Sequence, residues 1–203
     1  MPTRPPRSAL SKLLLDRLFE QCNWAHEVWT LRRAMFDGNR RKRTLDRGPH
    51  TYFLYHLQNI LTEYVTIQIA KLHDQAVVAG RVSLTLDYVV EYGGFDVPTK
   101  KKLARIRATL DKLGSILRQP RNKLIAHNDL AAVMQDAPLG EFAAGMDTRY
   151  FQSLQRFLKA AYVGAIGEPC ADFSTFSKSD AAGVIRALAA DTRPEPRRRR
   201  RAG

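Results

Sequence analysis

The sequence predicts an all-α protein, a bundle of up-and-down antiparallel helices with a basic linker and a disordered basic C-terminal tail. Three observations carry this reading. Apolar residues recur at three- and four-residue steps along most of the chain. Helix start and stop residues punctuate those runs. The one stretch rich in β-branched residues has no obvious second strand to pair with.

Taken in order, a first helix starts from a cap at Ser8 or Ser11 and runs to about Met35. Leu14, Leu15, Leu18, Phe19, Trp24, Val28 and Leu31 form its apolar side. Asp37-Gly38-Asn39 stops it, since Gly and Asn accept the left-handed conformation of a helix end. The linker Arg40-Arg41-Lys42-Arg43 follows, closed by Gly48-Pro49. A second helix is expected from about Pro49 to Val78, with an apolar face from Phe53, Leu57 and Ile60 through Ile69 and Leu72. A face that wide suits a helix central to a bundle. Ser83 to Asp87 reads as a cap leading into a short helix, Leu86–Tyr92, stopped by Gly93-Gly94; a strand over Val82–Val90 is the alternative reading.

Pro98 suits the first position of a third long helix, which carries Leu103, Ile106, Leu110, Leu113 and Leu117. Pro120 should kink or restart it, and helix should continue from Arg121 to about Met134. Asp147 is the expected cap of a helix to Ile166 that packs Tyr150, Phe151, Leu154, Phe157 and Leu158. A final helix over Ser179–Ala190 precedes DTRPEPRRRRRAG, too polar and Pro-rich to fold alone. No internal repeat is present. The expected organisation is one domain over 1–190 and a disordered Arg-rich tail over 191–203.

The formal net charge is +13. The tail from Asp191 sets six arginines against two carboxylates, so four of those charges belong to it and nine to the rest. Such a charge favours polyanions through counterion release, without choosing among RNA, DNA and an acidic protein; a solubilising surface is the plainer reading. Cys22 and Cys170 lie far apart and form no CxxC pair, which argues against a zinc site or a disulfide scaffold. Both are expected as buried thiols in a reducing cytoplasm. The apolar stretch near the N-terminus is broken by Lys12, Asp16 and Arg17, so it has no signal-peptide core, and no membrane span is expected.

The most informative segment is Arg121-Asn122-Lys123-Leu124-Ile125-Ala126-His127, directly after Pro120. It places a cation and an amide on the first turn of a restarted helix and a histidine six residues on. On an ideal helix, Arg121 and His127 are about 240° apart, so one straight helix does not set them on one face. They meet in one cleft if the first turn is distorted or if two copies face each other across a dimer axis. The residue types suit RNA cleavage. Histidine titrates near neutrality and serves as base or acid toward the ribose 2′-hydroxyl and the leaving 5′-oxygen. Arginine holds the scissile phosphate bidentately, and Asn122 donates to a phosphate oxygen or orients the histidine. No metal is required. Local polar contacts and a surface ion pair are the alternative reading of the same residues.

Arg121-Asn122 followed by His127, on a late helix of an all-α bundle, resembles the signature of the HEPN superfamily. The frame is similar to its abortive-infection, AbiU-like branch: a long second helix ending in Ala70-Lys71-Leu72-His73-Asp74, then Leu84-Thr85-Leu86-Asp87, then RNKLIAHND, over roughly residues 10–165. The resemblance implies a HEPN-like helical bundle that dimerises to bring two motif helices into one cleft. It also implies a metal-independent endoribonuclease used as a phage-defence effector or toxin. Arg121 and His127 would then be catalytic and Asn122 the polar helper, with Asp129 behind them. RNA, a homodimer and an antitoxin or defence-system partner are the expected partners, and no cofactor is expected. The chain has Asn128-Asp129-Leu130 where some HEPN toxins carry a Tyr that a partner modifies, which puts that control in doubt. Other HEPN domains only bind nucleic acid or nucleotides, so a non-catalytic nucleic-acid-binding module is the alternative.

Arg40, Arg41, Lys42, Arg43, Lys123 and the tail arginines are candidate phosphate contacts, a solvated linker and terminus being the alternative. His50 and His56, and the pair His73-Asp74, lack the i,i+4 spacing of a helical metal site and read as structural. Trp24 and Trp29 are expected in the core or a dimer interface. There is no Walker-type loop and no dinucleotide fingerprint.

Overall fold

The computed structural model describes residues 10–37, 48, 50–120, 142 and 144–191. Those residues form an all-α bundle with one very small hairpin. The first helix, α1 (Lys12–Phe36), is capped by the Ser11 side chain, which accepts from the Leu14 N–H. Its buried positions Leu15, Leu18, Cys22, Ala25 and Trp29 recur at the helical period. The second helix, α2, spans Thr51–Leu72. It ends six residues before the expected Val78, because Val77–Val78 (β1) pairs antiparallel with Arg81–Val82 (β2). The turn between them needs positive φ at Ala79 (50°) and Gly80 (80°), which a helix cannot continue through.

Of the two readings of the next stretch, the helix holds. Thr85 accepts from the Tyr88 N–H and starts α3 (Leu86–Tyr92). Val82 nevertheless does find a strand partner, Val77, only five residues upstream. The fourth helix, α4 (Val97–Pro120), begins under the Asp96 carboxylate, which accepts from the Thr99 N–H; Pro98 thus sits one position inside the start. Residues 97–120 are helical up to Pro120 itself, and the expected continuation to Met134 lies outside the described residues. The fifth helix, α5 (Met146–Ile166), starts at Gly145 with φ 78° rather than at an Asp147 cap. The last, α6 (Ser177–Asp191), begins two residues earlier than expected.

Side-chain pairs fix the directions. Asp16 near the start of α1 accepts from Tyr162 near the end of α5, whereas Trp29 and Arg33 near the end of α1 meet Asp147 at the start of α5. Thr99 lies against Gly164, and Asp111 and Gly114 lie level with Tyr150 through His73. Helix α5 is therefore antiparallel to both α1 and α4. The main core joins Leu15, Leu18 and Cys22 of α1, Val65 and Ile69 of α2, Leu103 and Leu110 of α4, and Leu154, Phe157 and Leu158 of α5. A second cluster, Met35, Phe36, Leu54, Ala181 and Ile185, seats α6 against α1 and α2.

Helix α1 packs chiefly against α2, α5 and α6, and α4 against α2, α3 and α5, so α2, packed chiefly against α1 and α4, is not the helix with the most neighbours. The wide apolar face of α2 is only partly covered: Phe53 and Ile60 are exposed, and the adjacent Leu54 takes the buried position. Trp29 is buried as expected, but Trp24 is 57 % exposed because it falls beside the Cys22–Ala25–Trp29 stripe rather than on it. Both cysteines are buried free thiols, and desolvation raises the pKa of each. Among the described residues, no helix is long and apolar enough to cross a membrane.

Candidate functional site

The two motifs that carry the frame, Ala70–Asp74 and Leu84–Asp87, meet in one chain of polar contacts. His73 follows the last residue of α2, where its side chain is 3 % exposed. Its Nδ1 lies 2.7 Å from Asp111 Oδ1 of α4, and its Nε2 lies 3.0 Å from the Tyr150 hydroxyl of α5. Tyr150 is fully buried, and that desolvation holds its pKa well above the ordinary phenol value. The phenol therefore keeps its hydrogen, and Nδ1, facing a carboxylate that can only accept, carries an imidazole hydrogen toward Asp111.

Gly114 makes room for this ring, since a Cβ there would stand 3.0 Å from Nε2. The contacts continue outward. Arg107, one turn before Asp111, reaches Asp111 Oδ2 at 3.5 Å and donates from Nη1 to Asp87 Oδ1 at 2.5 Å. Asp87 Oδ2 in turn accepts from the Ala76 N–H at 2.9 Å. Leu86, beside Asp87, is fully buried, so the LTLD stretch supplies a helix cap, a core residue and a bridging carboxylate in succession. The end of α2, the hairpin, α3, α4 and α5 are thus joined through Ala76, Asp87, Arg107, Asp111, His73 and Tyr150.

This chain grips α4 at Arg107 and Asp111, and α4 runs to Pro120, immediately before Arg121. The sequence-predicted site residues Arg121, Asn122, Lys123 and His127, with Asp129, lie outside the described residues, as do Arg40, Arg41, Lys42, Arg43 and the tail arginines from 193 on. What is described is the support that leads to them. Among the described residues, His73 pairs with Asp111 and Tyr150, 38 and 77 residues away, and not with the adjacent Asp74 that the sequence pairs it with; nothing near His73 in the sequence points to them. The spacing of Arg107 and Asp111, i and i+4 on one helix, was the available signal.

A buried carboxylate, Glu27, holds the other side of the bundle. Glu27 on α1 accepts from the backbone N–H groups of Phe176 and Ser177, each at 3.2 Å, and from the hydroxyls of Ser174 and Ser177. These donors surround the first turn of α6, so a side chain from α1 caps another helix. Asn23 reinforces the grip by accepting from the Ser174 N–H at 2.8 Å.

The family model described as AbiU2, of HEPN type, matches residues 11–184 of the chain. That span includes the polar chain, α4 and the RNKLIAH segment. No curated protein and no solved structure matches the chain.

Proposed function

Because this chain belongs to the AbiU2 family of HEPN proteins, we propose that it is a metal-independent endoribonuclease acting in abortive-infection defence, as an effector or toxin. The family bears on defence, and HEPN domains are often ribonucleases. The observation that supports the finer reading is the position of RNKLIAH. It lies inside the matched span and directly follows the helix that the His73–Asp111–Arg107 contacts fix in place.

In this reading, His127 exchanges protons with the 2′-hydroxyl and the leaving 5′-oxygen, Arg121 stabilises charge growing on the phosphate, and Asn122 orients one of them. Two chains pair so that each supplies one motif, since the helical offset between Arg121 and His127 keeps them apart on one straight helix. Lys123 and Arg40–Arg43 hold neighbouring phosphates.

The test is cleavage of mixed RNA substrates by the full chain in excess EDTA, with oligomeric state followed by light scattering. Cleavage by a dimer is expected, and His127→Ala and Arg121→Ala should each lower the rate by at least about 100-fold while melting as wild type does. Salt-sensitive RNA binding that persists in both variants, with no product from the wild-type dimer, would instead identify a non-catalytic binding module.

A further inference from the structure

Away from the polar chain, a cleft of about 580 Å³ opens between α1, α5 and the segment that leads into α6. A volume of that size is in the usual range for small-molecule sites. Among the described residues, none of α4 lines it, so it lies apart from the described part of the helix that leads to Arg121. Its wall is aromatic, made by Trp29, Phe151, Phe173 and His26. The His26 ring stacks on Phe173 with centroids 5.2 Å apart and meets Phe151 edge-on at 5.0 Å. Trp29 is fixed by its Nε1–H, which donates to Asp147 Oδ2 at 2.9 Å, and Arg33 donates to the same oxygen at 2.6 Å. Gln155 staples the 171–173 segment to α5, donating to the Ala171 carbonyl and accepting from the Phe173 N–H, each at 2.8 Å. The wall is therefore formed without a ligand.

The polar groups on this wall divide into those already engaged and those still available. His26 Nδ1 lies 3.1 Å from the Ser174 carbonyl, which can only accept, so Nδ1 carries the hydrogen and Nε2 holds a lone pair. Burial lowers the pKa of His26 and keeps that lone pair through neutral pH. Among the described residues, every fully buried polar side-chain atom has a partner, and none engages Nε2, so Nε2 remains accessible. Gln152, one turn before Gln155 on the cleft-lining face of α5, also makes no hydrogen bond among the described residues, nor do the hydroxyls of Thr30 and Thr148. An aromatic slot thus carries an acceptor, a carboxamide and two hydroxyls.

A purely apolar ligand would strip water from those groups and leave them without partners, at a cost that offsets the burial. An anionic ligand is not favoured either. The two cations of the lining, Arg33 and Lys178, face three carboxylates, Asp37, Asp147 and Asp172, and Arg33 is already bound to Asp147 and lies 3.4 Å from Asp37. We infer that this cleft binds a neutral planar heterocycle with hydrogen-bonding edges, of the purine base or nucleoside class. One N–H of the base, in the ring or exocyclic, would meet His26 Nε2, and a second edge would pair with the Gln152 carboxamide.

The experiment is a titration of the full-length chain with adenosine, guanosine, uridine and indole, read by calorimetry and by saturation-transfer NMR. It needs no cleavage activity, so its outcome and that of the nuclease reading are independent. At least one purine nucleoside should bind about tenfold more tightly than indole. His26→Phe keeps a ring for stacking but removes the acceptor, and Gln152→Ala removes an amide the fold does not use. Each should weaken that nucleoside about fivefold or more, Gln152→Ala with an unchanged melting curve and His26→Phe, which also loses the bond to the Ser174 carbonyl, while still unfolding cooperatively. Absence of purine binding up to about 5 mM, a range that reaches even weak millimolar affinity, would overturn the inference. So would indole binding equal to that of the purines, or purine binding unchanged in both folded variants.

Discussion

His26 and His73 are both imidazoles packed inside the bundle, and their partners give them different chemistry. His73 sits between a phenol and a carboxylate, so both ring nitrogens are used. His26 faces a carbonyl and two aromatic rings, and desolvation lowers its pKa against the smaller opposing effect of the Ser174 hydrogen bond. The sign of its pH effect follows. A folded-state pKa below the unfolded value of about 6.5 means the unfolded chain takes up the proton first. Its contribution to stability is complete above that value and is lost as pH falls toward the folded-state pKa. Melting temperature should therefore drop more for wild type than for His26→Gln between about pH 7.5 and pH 5.5, by differential scanning calorimetry. Equal slopes for the two proteins would refute this assignment. At this scale the sequence was only partly legible. Ser11 as a cap can be read from its neighbours, but Asp147 looked like a cap and is instead the partner of Trp29 and Arg33, more than a hundred residues away.

Elements were more legible than their ends, because periodicity marks the middle of a helix and local turn chemistry marks its limits. The position of α6 against α1 depends on Glu27, a charged residue within a helical sequence that periodicity treats as a surface position. Glu27→Ala would leave the donors at the start of α6 without their acceptor, at a cost of about 1–3 kcal/mol. Hydrogen exchange should locate that cost, with amides of 179–190 losing protection while those of α5 keep theirs; uniform loss across both helices would contradict a local latch. The contact between α4 and α5 fails in another way. A Cβ at Gly164 would lie 2.6 Å from Thr99 Cγ2 and 3.0 Å from Phe95. Gly164→Ala should destabilise the protein by about 1–3 kcal/mol in urea unfolding through overpacking, and pairing it with Thr99→Ser should recover part of the loss.

For the whole molecule, the helix periods predicted an all-α bundle, and the order of AKLHD, LTLD and RNKLIAH predicted the family that the match over residues 11–184 shows. Which helix is central could not be read that way. Helix α2 has a wide apolar face, yet centrality depends on which faces become covered, and α1 and α4 each pack against more neighbours. The charge of +13 also belongs to this scale. If RNA is the ligand, raising salt from about 50 to 200 mM should weaken binding at least about tenfold in filter-binding measurements, and a flat response would exclude a phosphate-dominated interface. The contacts from Ala76 to Tyr150 have a mechanical consequence as well. They cross-brace α4 against the end of α2, the hairpin, α3 and α5 by directional bonds, where apolar packing alone would tolerate a small slide. Rotating or translating α4 by part of a turn would break several of these bonds together. The helix that ends at Pro120 is thus held like a strut, and a push at either end is transmitted along it instead of being absorbed.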